Sequence, residues 1–573
     1  MPVVNAEIAS QLEKVADLLD IEGANPFRVR AYRRAARLVG ELPRNVTELI
    51  AEGEDLDDLP GIGKDLADKI ALIARGERLP LLDELAHEVP AGVTALLALP
   101  GLGPKRVHLL HEKLGIDSVD KLVAAAKAGK LRGVPGIGEA TEAKLLRAVA
   151  EGAGQVPRMK LAAAEQFAAP LLQYLRQSPG VTEAEIAGSY RRRRETVADL
   201  DIVVAAEPSG PVMQRFVGYE DVQDVVEQGP TRATVKLRNG LQVDLRVVPA
   251  ESYGAALCYF TGSKAHNIAL RRIAVDAGLK LNEYGLSKGP KRLAGRTEAD
   301  IHRRLGLAYV PPELREDQGE IDAARAGRLP HLVTVADMRG DLHMHTDATD
   351  GRASLEAMAQ AAQKRGYAYI AITDHSRRLA MAHGLDPARL ARQIRKIDNL
   401  NDTLSGVVVL KGIEVDILED GSLDLPDDIL RRLDLVVAAV HYRFDLPAAK
   451  QTERILRAMD NRCVNIIAHP TGRLINARPA YQIDAERVMR GALERGCYLE
   501  LNAQPDRLDL TDAHCRLAKE LGLKVAISTD SHATAELDFI RFGVDQARRG
   551  WLAPDDVVNT RPLAELRRLL RRM

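Results

Sequence analysis

The sequence predicts a multidomain protein, α+β and α/β in class. Helical units come first, a carboxylate-bearing mixed unit follows, and a βα-repeating unit comes last. Three observations carry this expectation. An apolar-Pro-Gly-apolar-Gly turn recurs three times before residue 140, each time ahead of a helical stretch. Two alternating strands, around 199–204 and 242–248, carry three aspartates between them. After residue 339, short apolar runs alternate with helical segments, and several runs end in His, Asp or Glu. At 573 residues the chain is too long for one core.

Composition narrows the class. Charged residues are 28% and hydrophobic residues 46%, as in ordinary globular proteins. The formal net charge is −1, so any nucleic-acid surface must be local. Cys258, Cys463, Cys497 and Cys515 form no C-x-x-C pair, which argues against a disulfide framework or a cysteine zinc site. No signal peptide opens the chain and no apolar run approaches membrane-spanning length, so a cytoplasmic protein without membrane contact is expected.

The repeated turns are Leu59-Pro60-Gly61-Ile62-Gly63, Leu99-Pro100-Gly101-Leu102-Gly103 and Val134-Pro135-Gly136-Ile137-Gly138. Their glycines permit a tight turn, and the helix that follows offers N-terminal amides to a phosphate without reading any base. Lys64, Lys69, Lys105, Arg106 and Lys144 lie close by. One copy would pass as an ordinary helix connection; three make DNA binding the better reading. The pattern resembles the helix-hairpin-helix motif of DNA-repair proteins. Residues 1–80 also resemble the small lyase domain of DNA polymerase beta, through Ala31-Tyr32-Arg33-Arg34-Ala35-Ala36 and the first turn. That resemblance implies a Schiff-base role for Lys69. It departs from the family at Asp65, where a phosphate-binding lysine is usual. Residues 81–152, with the other two turns, are expected as DNA-gripping fingers.

The middle unit, 153–250, centres on Gly188-Ser189, Arg191 to Arg194, and Asp199-Leu200-Asp201 before Ile202-Val203-Val204. Strand residues alternate faces, so Asp199 and Asp201 project together. Adjacent carboxylates repel unless a cation lies between them, and Mg²⁺ held by carboxylates and substrate phosphates suits them. Gly-Ser amides and the arginines suit the phosphates of a nucleoside triphosphate. Asp244, in Gln242 to Val248, adds a third carboxylate, and three can hold two metals. Together with Tyr259-Phe260-Thr261-Gly262-Ser263, Asn267 and Arg271, these residues resemble the palm and thumb of family X DNA polymerases. The resemblance implies Mg²⁺ or Mn²⁺ on Asp199, Asp201 and Asp244, with Asp244 serving the primer 3′-hydroxyl. It implies nucleotide contacts from Gly188, Ser189, Arg192, Tyr259, Phe260, Gly262, Asn267 and Arg271. Arg193 and Arg194 continue the basic run past the family's usual pair. The thumb is expected over 251–317 and a helical linker over 318–338.

The last unit, 339–573, holds 8 of the 14 histidines. Asp341-Leu342-His343-Met344-His345 is followed by Asp350. Later apolar runs lead to Asp374-His375, Glu414, His441, His469, and Asp530 with His532. A strand-end cluster is where barrel folds keep their active sites. Six histidines with Asp350, Glu414 and Asp530 are nitrogen and oxygen donors without thiolate, enough for two or three Zn²⁺ or Mn²⁺ ions. A lone histidine would pass as a surface or core residue; His383 and His514, off the pattern, are read as surface residues. The block resembles the polymerase-and-histidinol-phosphatase (PHP) domain, a distorted seven-stranded α/β barrel. That implies one ion on His343, His345, Glu414 and Asp530, a second on Glu414, His441 and His469, and a third on Asp350, His375 and His532.

A PHP domain behind these units looks like the bacterial or archaeal family X enzyme. The resemblance implies gap filling in base excision repair, metal-dependent 3′→5′ exonuclease action and cleavage at abasic sites. Partners would be gapped or nicked duplex DNA and deoxynucleoside triphosphates, with the protein a monomer. The alternative is a template-independent nucleotidyltransferase with a small-molecule phosphatase domain; primer extension with and without template separates the two. A non-catalytic DNA scaffold is disfavoured by the filled ligand sets.

Overall fold

The computed structural model describes residues 5–571 except 43–45, 52, 60–61, 78, 90–92, 94–95, 100–101, 136, 139–140, 143–144 and 146–157. The front of the chain is helical, with Asn5–Ile21, Pro26–Glu41, Lys64–Ala74 and Pro104–Leu114 as its longer helices. Asn25 caps the second of these by accepting from the Phe27 amide, and Pro26 occupies its first turn. The apolar stripes meet in one core running from Ile8 to Leu145. The boundary expected at residue 80 is therefore not a packing boundary. Val107 and Leu110 share that core with Ile8 and Leu12, and His108 Nδ1 lies 2.6 Å from the Ile21 carbonyl. Short helices bury too little alone and gain stability by sharing a core.

The middle unit is a mixed sheet backed by the helix Leu161–Arg176. A short pair, β1 (Met159–Lys160) and β3 (Thr196–Val197), runs antiparallel. The main sheet comprises β2 (Val181–Ile186), β4 (Asp199–Ala206), β5 (Val222–Gln228), β6 (Arg232–Leu237) and β7 (Gln242–Val248), in the order β2-β4-β7-β6-β5. Only β4 and β7 run parallel. Leu200, Ile202, Val243 and Leu245 bury one face against Phe167 and Leu171. The period-2 pleat then leaves the aspartates on the other face.

The unit expected as a thumb has helices Tyr253–Thr261 and Lys264–Asp276 and a three-stranded sheet of β8 (Lys280–Asn282), β9 (Gly285–Lys288) and β10 (Lys291–Ala294). Residues 318–338, expected as a linker, are packed instead. Ala324 and Leu332 join the thumb core together with Trp551, while Val333 and Met338 enter the barrel core. Glu320 is fully buried, matched by His266 Nδ1 at 2.6 Å and by the amides of Asp317 and Gln318. A short run of charged and small residues reads as solvated, and only the fold supplies the partners that let it be buried.

The last unit is a seven-stranded parallel sheet in sequence order: β11 (Gly340–Asp341), β12 (Tyr369–Ile372), β13 (Val408–Asp416), β14 (Leu435–Ala439), β15 (Ile466–Ile467), β16 (Tyr498–Asn502) and β17 (Val525–Ser528). It curls until its edges nearly meet. At the C-terminal end Met344 bridges Ser531, the His345 amide donates to Ser531 and the Asp530 amide donates to His343. At the other end Asn559 Nδ2 donates to the carbonyls of Gly340 and Ile527, spanning β11 and β17. The result is a nearly closed (β/α)₇ barrel, with its strand ends gathered at one mouth.

Candidate active sites

The parallel register sets Asp201 directly opposite Asp244 and Asp199 opposite Gln242. Gly188 heads the single turn Gly188–Arg191 that crosses these carboxylates. Its φ is +60°, and a Cβ there would lie 2.3 Å from Asp201 Oδ2, so only glycine lets the turn approach. Asp244 is held by the Thr234 hydroxyl and by Gln242 Nε2 at 2.9 Å. Burial, then the charges of Asp199 and Asp244, push Asp201 up to about 7. Burial and Asp244 likewise raise Asp199. Compressed, part-buried like charges are what a divalent cation relieves, so this donor set fits Mg²⁺ or Mn²⁺.

The arginine run does not stand free for phosphates as the sequence suggested. Arg191 makes a paired contact with Glu298, Arg192 pairs with Glu316 at 3.1 Å and donates to the Thr261 carbonyl, Arg193 pairs with Glu165, and Arg194 lies 3.6 Å from Glu316. Successive residues of a tight turn point in different directions, and each part-buried guanidinium takes the nearest carboxylate. The thumb groups lie alongside. Asn267 Nδ2 donates to the Tyr259 carbonyl at 2.6 Å, and the Arg271 guanidinium lies 4.8 Å from the Tyr259 ring centroid. The three line one narrow cleft with Asn282. Phe260 meets Tyr259 edge-on and faces Arg246. Gly262, at φ +69°, lies against Arg192 Nη1. Ser189 is half-buried in the turn beside it.

In the barrel, Glu414 is central. Its Oε1 lies 3.0 Å from His469 Nε2 and 3.4 Å from His441 Nε2. Its Oε2 lies 2.6 Å from His375 Nδ1, 3.6 Å from His343 Nε2 and 3.7 Å from His345 Nε2. Asp530 Oδ1 is 3.1 Å from His345 Nε2 and 3.7 Å from His343 Nε2. Asp350 lies 3.4 Å from His375 Nε2 and 3.5 Å from His532 Nε2. Donor atoms fall within 4.8 Å of one another in three groups: His343, His345 and Asp530; His375, Glu414 and His441; and His345, Asp350, His375 and His532. His375 and His345 thus each serve two groups, which the sequence did not foretell.

The electrostatics fit cations. Buried His345 Nδ1 and His469 Nδ1 have no hydrogen-bond partner, and Glu414 Oε2 and His375 Nδ1, 2.6 Å apart, form an ion contact without hydrogen-bond alignment. Burial alone would lower His375, His441 and His532; the carboxylates overcome it and push them to about 9, 10 and 9. Burial, then His532 and His375, drive His345 down to about 3. Such a set of oxygen and nitrogen donors suits Zn²⁺ or Mn²⁺. His469 and Asp530 sit at φ 26° and 53°, a left-handed backbone that the barrel holds at its strand ends.

Several working residues were missed in the sequence. Glu500 takes His343 Nδ1 at 2.7 Å and accepts from the His469 amide, and Asp416 takes His441 Nδ1 at 2.9 Å. Both turn an imidazole so that its Nε2 faces the bowl. Asn502 Nδ2 bridges Glu500 and Asp530. A signal existed: Glu414-Val415-Asp416 and Glu500-Leu501-Asn502 put polar residues at alternate positions of strands otherwise apolar and buried. Glu500→Ala is expected to weaken metal retention, and any activity that depends on it, by roughly 10–100-fold, the usual cost of losing an orienting group. Activity titrated against Mn²⁺ measures it. His383 is exposed as expected, whereas His514 is half-buried.

At the front, Ile62, Leu102 and Ile137 are buried and anchor the three turns. Gly63 and Gly103 start the helices Lys64–Ala74 and Pro104–Leu114 without a side-chain cap, which leaves first-turn amides for another acceptor. A Cβ at Gly63, Gly103 or Gly138 would meet nothing within 4 Å, so the approach to each is open. Gly61, Gly101, Gly136 and Lys144 lie outside the described residues. Lys69 forms an ion pair with Asp65 one helical turn away.

Family models match residues 3–79 (helix-hairpin-helix domain), 93–151 (SAM-like helix-hairpin-helix tandem), 256–316 (DNA polymerase beta thumb) and 341–504 (PHP domain). The chain is 37% identical over 570 residues to the DNA polymerase/3′-5′ exonuclease PolX of Bacillus subtilis (strain 168), covering 99% of each. It is 32% identical over 232 residues to a probable phosphatase of Thermoanaerobacter sp. (strain X514), covering 38% of this chain and 89% of that protein. It is 25% identical over 343 residues to DNA polymerase lambda of Rattus norvegicus, covering 54% of this chain and 56% of the relative.

Proposed function

This chain belongs to the family X DNA polymerases that carry a C-terminal PHP domain, and we propose that it fills short gaps in duplex DNA from the palm and trims 3′ ends in the barrel. It is a DNA-directed DNA polymerase with 3′–5′ exonuclease activity. The observation that carries the division of labour is that two separate carboxylate centres occur in one chain, the aspartates on β4 and β7 and the bowl around Glu414.

In the palm, Asp199, Asp201 and Asp244 would hold Mg²⁺ or Mn²⁺. When bound, such ions neutralise the triphosphate and the developing charge in the displacement. Asp244, fixed by Thr234 and Gln242, receives or orients the primer 3′-hydroxyl proton. Gly188 and Ser189 present the turn to the phosphates, and Arg192 joins them by leaving Glu316. Tyr259, Phe260 and Gly262 abut the nucleotide sugar, while Asn267 and Arg271 reach the minor-groove edge of the new pair, where readout is degenerate and shape matters.

In the barrel, His343, His345, Glu414 and Asp530 would hold one ion, Glu414, His441 and His469 a second, and Asp350, His375 and His532 a third. When bound, Mn²⁺ or Zn²⁺ there acidifies attacking water and neutralises the scissile phosphate. Glu500 and Asp416 hold the imidazoles in the required tautomer. No protein nucleophile is required. The glycine turns grip the backbone of a gapped or nicked duplex, and the protein acts as a monomer. Among the described residues, no helix is long and apolar enough to cross a membrane. A barrel acting on small phosphates is the competing reading, favoured only by the phosphatase relatives of that domain. Comparing hydrolysis of histidinol phosphate and of a DNA 3′ end decides between them; faster hydrolysis of the small phosphate overturns the nuclease.

Lys69 is the candidate Schiff-base lysine for an opened abasic sugar. Borohydride is expected to trap wild type on a 5′-deoxyribose-phosphate substrate and to trap Lys69→Ala far less. Equal trapping would reduce Lys69 to a phosphate contact.

A further inference from the structure

We propose that Arg549, on the barrel helix Ile540–Arg549, is a positioning residue for the palm's triphosphate subsite: it keeps Glu316 neutralised when Arg192 turns from Glu316 to an incoming nucleotide. The inference rests on Arg192 being a phosphate ligand, as read above.

The geometry is a cation exchange spanning two domains. Glu316 Oε1 is shared by Arg192 Nε at 3.1 Å, Arg549 Nη1 at 3.1 Å and Arg194 Nη1 at 3.6 Å. Side-chain exposure is 14% for Arg192, 14% for Glu316 and 2% for Arg549, against 43% for Arg194. A buried carboxylate that loses its only partner becomes an uncompensated charge, so Arg192 on its own could not leave cheaply. A second buried guanidinium already in place removes that obstacle. Arg549 does not follow Arg192, because its Nη2 is tied to Asp512 Oδ2 at 2.5 Å. Its Nη1 also donates to the Arg192 carbonyl at 2.8 Å, which fixes the main chain of Arg192, so a swing of the side chain exchanges its contacts with Glu316 and the Thr261 carbonyl without moving the turn.

The helix that carries Arg549 is docked, not merely adjacent. Arg548 pairs with Glu313 at 2.8 Å, Arg541 and Arg193 both reach Glu165, and Arg473 joins Glu195 at 2.6 Å. Phe542, Ile475 and Leu508 pack on Leu161, Ala164 and Val197. The barrel therefore presents Arg549 to the polymerase site from a fixed surface.

Single-nucleotide gap filling by the full chain tests this. Arg549→Met should raise the KM for the deoxynucleotide roughly tenfold, the size of one lost charge-assisted hydrogen bond, with kcat changed less than about twofold. Arg549→Lys, which keeps the charge, should recover most of the loss. Adding Glu316→Gln to Arg549→Met should bring the KM back down, since no carboxylate charge then holds Arg192 and the Thr261 carbonyl is the neutral contact it keeps. Exonuclease activity of each variant reports that the barrel is intact and should stay at the wild-type rate. An unchanged KM in Arg549→Met, or no relief from Glu316→Gln, overturns the inference. A parallel fall in kcat and exonuclease rate overturns it too, because Arg549 would then be only a structural strut. If Arg549→Met does not fold, Glu316→Gln alone carries the test: it should lower the wild-type KM, and a rise contradicts the exchange. Arg192→Ala separates the two levels. A KM unmoved by that change removes the phosphate role of Arg192 itself, whereas a raised KM there with a normal one in Arg549→Met removes only the exchange.

Discussion

Asp201→Ala is expected to abolish nucleotide addition while leaving 3′-end degradation in place. Asp201 is the carboxylate most confined by its neighbours: it lies under Gly188, opposite Asp244 and two residues from Asp199 on the same face of β4. Its pKa of about 7 reports how strongly burial and the other two aspartates compress its charge. Removing it relieves that repulsion, so the folded protein is not expected to suffer. What disappears is a ligand that places the cation against the triphosphate. Loss of a preorganised electrostatic partner should cost on the order of 10³-fold or more in rate. Single-turnover insertion opposite a gap measures it. An insertion rate near wild type would remove the palm assignment, because no other cluster of carboxylates among the described residues of that sheet is so placed.

Glu414→Ala carries the second large effect, in the opposite activity. Five imidazoles lie within 3.7 Å of this one carboxylate, so its loss unsettles every group in the bowl at once. Mn²⁺-stimulated release of nucleotides from a DNA 3′ end should fall by on the order of 10³-fold, since the electrostatic partner of the scissile phosphate goes with it. Metal content of the purified protein should fall in parallel, and chelator should reproduce the defect in wild type. His343→Ala should act in the same direction. Gap filling should survive both changes. A Glu414→Ala protein that keeps its metal and its exonuclease rate contradicts the bowl as the nuclease centre.

How much of this was legible in the sequence follows from how each feature is encoded. The aspartates of β4 and β7 could be read because strand alternation is local and Asp-x-Asp beside Gly-Ser is compact. The donors gathered at the barrel mouth were legible because, Asp350 apart, they follow the ends of apolar runs, and a run's end is visible without knowing its neighbours. Contacts between distant segments were not legible. The arginine run looked free because Glu298, Glu316 and Glu165 are far away in the chain, and nothing local reveals that the fold returns them to Arg191, Arg192 and Arg193. Residues 318–338 looked like a linker for the same reason, since the partner of Glu320 is His266. The grouping of imidazoles was only partly readable. A strand end tells that a side chain reaches the mouth, not which neighbour it meets there, and His345 and His375 meet two sets. Glu500 and Asp416 were hidden in apolar strands, where an alternating carboxylate passes easily for a core polar residue.

The central claim is that one chain holds two independent phosphodiester chemistries, synthesis on the mixed sheet and hydrolysis in the barrel. A 5′-labelled primer annealed beside a gap, incubated with Mn²⁺ and deoxynucleotides, reads both at once. Wild type should yield longer and shorter products together. Asp201→Ala should yield only shorter ones, and Glu414→Ala only longer ones. If Asp201→Ala stops shortening as well as extension, or Glu414→Ala still shortens the primer, the two activities share one site and the division between palm and barrel is wrong.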